Sequence, residues 1–307
     1  MTVINTNNAA SITANALTKN ERAMSQAMER LSTGQRINSA SDDAAGLAIS
    51  SRMTSQLNGL NMAVRNTNDA ISMVQTADGA LVEVTNMLQR MRELTVQAAS
   101  ETMSTTDVTA LNTEFTALRD QIQEVAKNTE WNGTKILDGS VGASGTSVDF
   151  QVGANASQTI SVVFGDLNTD FASSDSTTAA VLATGILVGL GTAGIGSGVG
   201  GTKDLIDQTV STAAVIATLD AALTNVNEKR SDYGAAINRL EYTADNLANV
   251  AQNTSASRSR ILDTDYASET TELARTQIIQ QAATAMLSQA NQQAQSVLAL
   301  LLSLIHI

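Results

Sequence analysis

The sequence predicts a mainly α protein: an elongated antiparallel coiled-coil helical bundle with a small β-hairpin region. Three observations predict it. Between Leu219 and Ala251 the apolar side chains recur on an alternating 4,3 step: Leu219, Leu223, Val226, Arg230, Tyr233, Ile237, Leu240, Ala244, Leu247 and Ala251, with only Arg230 not largely apolar. A repeat of 3.5 residues marks a helix that packs on a partner helix along a narrow stripe. A looser seam runs through Met53, Leu57, Leu60, Val64, Thr67, Ile71, Val74, Asp78, Leu81, Thr85 and Leu88, on the other side of a long middle section. Finally, none of the 307 residues is proline, which permits very long helices.

The elements follow in chain order. A first helix is expected from about Asn5 to Arg36, with Leu17, Met24, Met28 and Leu31 on one face. Gly34 within Ser32-Thr33-Gly34-Gln35-Arg36 is a natural terminator. The run Asn38 to Asp43 is rich in N-cap residues and opens a second helix, from about Asp43 to Ala99, whose length at 1.5 Å per residue is on the order of 85 Å. A third helix, about Thr106 to Thr129, carries Val108, Leu111, Phe115, Leu118, Ile122 and Val125 at spacings that would let it fold back on the second.

Asn132-Gly133 and Asp138-Gly139 signal turns. Val148 to Gly153 and Thr159 to Phe164 alternate as a hairpin would. Residues from about 168 to 203 are rich in Ser, Thr, Ala and Gly and read as a short surface insertion. The fourth helical stretch, Asp204 to Ala256, holds the strict seam. A break near Ile261 to Asp265 precedes a last helix, about Ser268 to Leu301, with the stripe Ile279, Ala283, Met286, Ala290, Ala294, Val297 and Leu301. The first and last helices would each bury little alone, so they are expected to order only when packed against something else. Copies of the same chain are the simplest supply.

Composition narrows the function. A net charge of −12 argues against nucleic acid or anionic lipid as a partner. Four Phe, one Trp and three Tyr are few for a large compact core. The absence of cysteine rules out disulfides, thiolate metal sites and a cysteine nucleophile. The polar stretch Met1 to Asn20 does not read as a secretory signal, and no apolar run is long enough to span a membrane. The only histidine, His306, is next to last, which strands serine-triad and zinc chemistry. Gly189-Leu190-Gly191-Thr192-Ala193-Gly194 fits a dinucleotide fingerprint, but the glycines after it are too many for the helix such a site needs. It reads as a Gly-rich surface loop. Asp42-Asp43 reads as helix capping, and Asp263/Asp265 as an inter-helix turn. Catalytic, cofactor-binding and metal-ligating residues are therefore expected to be absent.

Several ordered motifs carry a family resemblance. Leu31 to Ile49, reading LSTGQRINSASDDAAGLAI, closely resembles the N-terminal signature of bacterial flagellin. So do Leu88 to Leu94 and Asn132 to Leu137, and in the C-terminal half Ala256 to Ile261 and Met286 to Gln292. The resemblance covers the chain except about 168–203. It implies a structural subunit of the flagellar filament, with residues 1–42 and 261–307 as terminal helices forming an inner coiled coil that lines the export channel. Residues 43–167 and 204–260 would form the outer-tube domain, and 168–203 a short variable insertion facing the medium.

The resemblance further implies export, unfolded, by the flagellar type III apparatus, and assembly under a cap protein. Export chaperone and hook-junction proteins would be the other bacterial partners. Inner-tube packing falls to Leu17, Met24, Met28, Leu31, Ile279, Met286, Val297, Leu298 and Leu301. The patch that resembles the contact surface for host Toll-like receptor 5 and for neighbouring subunits is Gln89, Arg90, Glu93, Leu94 and Glu114. The alternative within the same export class is a hook–filament junction protein. Two departures from the family pattern stand out: the apolar tail Leu302 to Ile307, and Trp131 where the family usually carries Phe.

Overall fold

The computed structural model describes residues 7–100, 102–142, 147–167 and 212–305, with side-chain surroundings up to Gln292 in the last helix. The insertion, the Gly189–Gly194 motif, the first residues of the fourth helical stretch and His306 lie outside the described residues. So do the side chains of Val297, Leu298 and Leu301.

Among the described residues five helices form: α1 Asn8–Thr33, α2 Ala44–Ala98, α3 Thr105–Asn128, α4 Thr212–Leu262 and α5 Tyr266–Ile305. Two antiparallel hairpins lie between α3 and α4 in sequence: β1 Glu130–Trp131 with β2 Thr134–Lys135, and β3 Ser147–Gln151 with β4 Thr159–Val163. The mainly α class with small hairpins is as expected.

Local chemistry sets the boundaries. The Asn7 side chain accepts from Ala10 N–H, and Gly34, in the left-handed region at φ 71°, closes α1 with its N–H on the Arg30 carbonyl. Asp43 caps α2 by accepting from Gly46 N–H at 2.8 Å. Ser104 and Asp107 form a reciprocal capping box at the start of α3. The Ser104 hydroxyl and N–H hold the Asp107 carboxyl below its ordinary pKa. α4 runs on to Leu262, six residues beyond the expected Ala256, because nothing in Ser257-Arg258-Ser259-Arg260 interrupts a helix.

The Asn132-Gly133 turn, expected as a turn alone, carries a two-residue hairpin. Both central residues have positive φ, 49° and 75°, the twist that suits a tight hairpin. β3 and β4 pair in the register Val148↔Val162 and Phe150↔Ile160.

By packing, the chain divides into two compact parts: residues 1–57 with 252–307, and residues 58–251. The second part holds the main core. Met73, Val74, Ala77, Leu81, Val84, Leu88, Met91 and Leu94 of α2 are buried together with Phe115, Ile122 and Ala126 of α3 and Val215, Leu219, Ala222, Val226 and Tyr233 of α4. Ile136, Leu137, Val141, Val162, Phe164 and Leu167 extend this core into the hairpin region. Burial of each large side chain is worth about 1.5–3 kcal/mol.

Every position of the 4,3 seam from Leu219 to Ala251 is buried or half-buried. The α2 seam is likewise buried or half-buried at every expected position from Met53 to Leu88. Its buried line steps through Leu60, Ala63, Thr67, Ala70, Val74, Ala77, Leu81, Val84, Leu88, Met91 and Thr95. It shares Leu60, Thr67, Val74, Leu81 and Leu88 with the expected line. Ala63, Ala70, Ala77, Val84 and Met91 are buried beside the expected members, of which Val64, Ile71 and Asp78 are half-buried and Thr85 is buried. Small alanines carry little weight in a reading by side-chain bulk, yet they let two helices approach closely.

Candidate functional site

Two places in the fold gather the candidate residues. The first is the pair α1/α5, within the part formed by the two chain ends. The inward line of α1 is Ala10, Thr13, Leu17, Asn20, Met24, Ala27, Leu31 and Gly34. The inward line of α5 is Glu269, Leu273, Thr276, Gln280, Ala283, Leu287 and Ala290. Both step by alternating threes and fours, the spacing of a coiled coil.

The two helices run antiparallel. Arg30 meets Glu269 at 3.6 Å, Asn20 Nδ2 donates to the Thr276 carbonyl at 2.7 Å, and Asn7 Nδ2 donates to the Ala290 carbonyl at 3.1 Å. Asn20 and Thr276 are themselves buried. A polar residue buried on such a seam favours one register over others, because any slip leaves its amide without a partner.

Of the α1 residues that the resemblance assigns to inner-tube packing, Leu17, Met24 and Leu31 line this intrachain seam and Met28 is 49% exposed. On α5 the structure puts Ile279 and Met286 outside the intrachain seam, at 39% and 60% exposure, beside Ile278 at 67%. Thr276, Gln280 and Leu287 take the inward places. The sequence reading passed over Asn20, Arg30, Glu269, Thr276 and Gln280 because they are polar. Only their 3.5-residue spacing could have found them. The seam within one chain thus mixes Leu17, Met24, Leu31, Leu273 and Leu287 with polar and small residues, while Met28, Ile278, Ile279 and Met286 face outward.

The second place is the Arg90 cluster. Arg90 Nε donates to Glu114 Oε1 of α3 at 2.8 Å, and its Nη1 donates to Glu93 Oε2 at 3.0 Å. Hydrogen bonds from Glu114, then Glu93, push the Arg90 guanidinium above its ordinary pKa. Arg92 Nε donates to Asp220 Oδ1 of α4 at 2.6 Å, which raises Arg92 as well. These exposed pairs each contribute little to stability. What they supply is a surface with fixed charge positions across three helices.

Gln89 is exposed beside this cluster. Leu94 is not: it is 1% exposed and part of the main core. The burial follows from the pattern, since Leu94 continues the inward face after Met91. Leu94 therefore supports the patch from beneath.

Arg230, the one polar break in the α4 seam, donates from Nε to Asp78 Oδ1 of α2 at 3.0 Å. Together with Arg92–Asp220 this contact makes α2 and α4 antiparallel. Tyr233, one turn on, donates its hydroxyl to the Phe164 carbonyl at 2.5 Å, and burial, then the charge of Asp78, raises its pKa.

Among the described residues no group of three or more His, Asp or Glu is placed to hold a metal ion. No described helix is long and apolar enough to cross a membrane. The geometry offers helix seams and polar surface networks, which are instruments of assembly.

Comparison with known proteins decides between the families that share such seams. The family model described as the bacterial flagellin N-terminal helical region matches residues 4–142, and that of the bacterial flagellin C-terminal helical region matches residues 216–301. The chain belongs to the bacterial flagellin family. Flagellin of Bacillus subtilis is 41% identical, over 97% of this chain and 99% of its own length. Flagellin of Halalkalibacterium halodurans is 45% identical, over 90% of this chain and 91% of its own. The crystal structure of Bacillus cereus flagellin overlaps 63% of this chain and 94% of that one, with a TM-score of 0.46 at 29% identity. This flagellin is a structural subunit that polymerises with its own copies into the flagellar filament, and it belongs to a family of structural proteins and not of enzymes.

Proposed function

We propose that this flagellin leaves the cell unfolded through the flagellar type III apparatus and assembles extracellularly, under a cap protein, as the filament used for swimming. Residues 1–42 and 261–307 form the inner tube, residues 43–167 and 204–260 the outer tube, and 168–203 the surface insertion. Export chaperone and hook-junction proteins are its other bacterial partners. The observation that carries this reading is the mismatch on the terminal helices. The α1/α5 seam gives Asn20, Thr276, Gln280 and several small residues inward positions beside Leu17, Met24, Leu31, Leu273 and Leu287, while Ile12, Met28, Ile278, Ile279 and Met286 stay exposed on the single chain. Apolar surface of that kind is stabilised by burial against neighbouring subunits. Mild salting-out of purified monomer should yield long filaments by negative-stain microscopy. Short or no polymers would favour a hook–filament junction role.

The same reading makes the soluble monomer a ligand for Toll-like receptor 5 through Gln89, Arg90, Glu93 and Glu114, with Leu94 holding the patch from below. The support is the exposed Arg90 network, whose charges are already positioned before any partner arrives. An Arg90→Ala/Glu114→Ala monomer is expected to lose at least about tenfold in receptor signalling, the effect of about 1.4 kcal/mol in binding. Its thermal melt should stay close to that of the unsubstituted chain, because the pairs are exposed. Equal signalling by the two proteins would refute receptor recognition at this patch.

A further inference from the structure

The chain carries two Asn-Gly dipeptides, Asn58-Gly59 and Asn132-Gly133, and the fold gives them opposite surroundings. Asn58-Gly59 lies within α2, where the Gly59 N–H belongs to the helical ladder. A Cβ at Gly59 would stand 3.0 Å from the Ala154 Cβ, in the connection between β3 and β4. Asn132-Gly133 is the turn between β1 and β2. Apart from its chain neighbours, Gly133 has no heavy atom within 4 Å of where a Cβ would stand. Both asparagines are exposed, so access to water does not separate them; the backbone does.

An asparagine before glycine can lose its side-chain amide without a catalyst. The deprotonated glycine nitrogen attacks the asparagine Cγ, and the new C–N bond closes a five-membered imide. The Cγ–Nδ2 bond breaks and ammonia leaves. Water then opens the imide at either carbonyl, giving aspartate or isoaspartate. Ring closure brings Cβ and the glycine nitrogen nearly into eclipse, which sets the asparagine ψ near about −120°, far from the helical value of about −42°. At Asn58 that rotation would break the α2 ladder.

At the turn it would not. Asn132 has φ 49° and Gly133 φ 75°, the pair of positive values of a type I′ turn. A type II′ turn keeps positive φ at its first central residue and has ψ of about −120° there. A flip of the Asn132–Gly133 peptide plane converts one turn into the other, and glycine accepts the negative φ that the second position then takes. Both turns close two-residue hairpins. The pairs Glu130↔Lys135 and Trp131↔Thr134, and the Ile136 N–H bond to the Thr129 carbonyl at 3.2 Å, therefore stay in place while the reacting atoms meet.

We propose that Asn132 is a self-modification site, converted to aspartate or isoaspartate in the folded chain, while α2 holds Asn58 inert. Water is the only co-reactant and ammonia the only leaving group. Isoaspartate routes the main chain through Cβ, so it lengthens a two-residue turn by one carbon and adds a negative charge beside Glu130. The Trp131↔Thr134 closure no longer fits such a turn. Trp131 packs against the main core and is the only tryptophan, so its emission reports the change.

The test incubates the full-length monomer in mildly alkaline buffer, with and without urea. Peptide mass spectrometry and an isoaspartate assay follow both sites. In the folded chain Asn132 is expected to convert at least about tenfold faster than Asn58, whose ring closure waits for local opening of α2. In urea the two rates should converge, with that of Asn132 changing less than about threefold, because no structure then gates either site. The isolated isoaspartate form should show red-shifted Trp131 emission, whereas Asn132→Asp, which adds charge alone, should not. Equal conversion of the two sites in the folded chain would overturn the proposal. So would an Asn132 that folding slows at least about tenfold relative to urea, since the hairpin would then protect the site. Unchanged emission from the isoaspartate form would overturn the stated effect on the hairpin.

Discussion

Tyr233→Ala is expected to destabilise the main core by about 3–5 kcal/mol, the range for deleting a large buried ring. Tyr233 is fully buried on the α4 seam, its ring 5.9 Å from that of Phe164 at a tilted 50°, and its hydroxyl donates to the Phe164 carbonyl. The residue thus joins the helix seam to the end of β4. Alanine would leave a cavity that rigid helices cannot collapse around and would strand a buried carbonyl. Tyr233→Phe keeps the ring and loses only the hydrogen bond, so it should cost about 1–2 kcal/mol. Urea unfolding of the two monomers, followed by circular dichroism, separates these terms. A Phe variant as unstable as the Ala variant would mean that the hydroxyl, and not the packing, carries the joint.

A chain ending at Thr264, without α5, is expected to remain monomeric under conditions that turn the full chain into filaments. Its α1 loses every inward partner at once. Asn7 and Asn20 lose their acceptor carbonyls, Arg30 loses Glu269, and Leu17, Met24 and Leu31 lose their cover. A lone helix of 26 residues with so few large apolar side chains is marginal in water. The part formed by residues 58–251 contains none of the deleted residues, so its melting transition should persist. Microscopy and sedimentation check the first expectation, and calorimetry the second. Filaments from the shortened chain would show that α5 is dispensable for assembly.

Much of the architecture was legible in residue order. The helix ends at Gly34, Asp43 and Ser104 follow from caps whose chemistry is local. The α4 seam was readable because its members are bulky and its partner line is continuous. Arg230 drew attention as a polar break, and it pairs with Asp78. Ala63, Ala70 and Ala77 are seam members that a size-based reading passes over. On α5, Thr276, Gln280 and Leu287 face α1, while Ile279 and Met286, expected in inner-tube packing, stay exposed on the single chain. The Arg90 patch was read partly as surface, but Leu94 lies beneath it.

By itself the sequence determined the helical class, the breaks between helices, the turn chemistry and the flagellin family. These depend on spacing, caps and motifs that act over a few residues. Only the tertiary structure decided which face of each helix turns inward and how distant segments register. It alone brought Gln35 to Asp263 and Asn20 to Thr276. Those choices are settled by contacts between residues more than a hundred positions apart, where small and polar side chains win their places through fit and hydrogen bonding that no local pattern encodes.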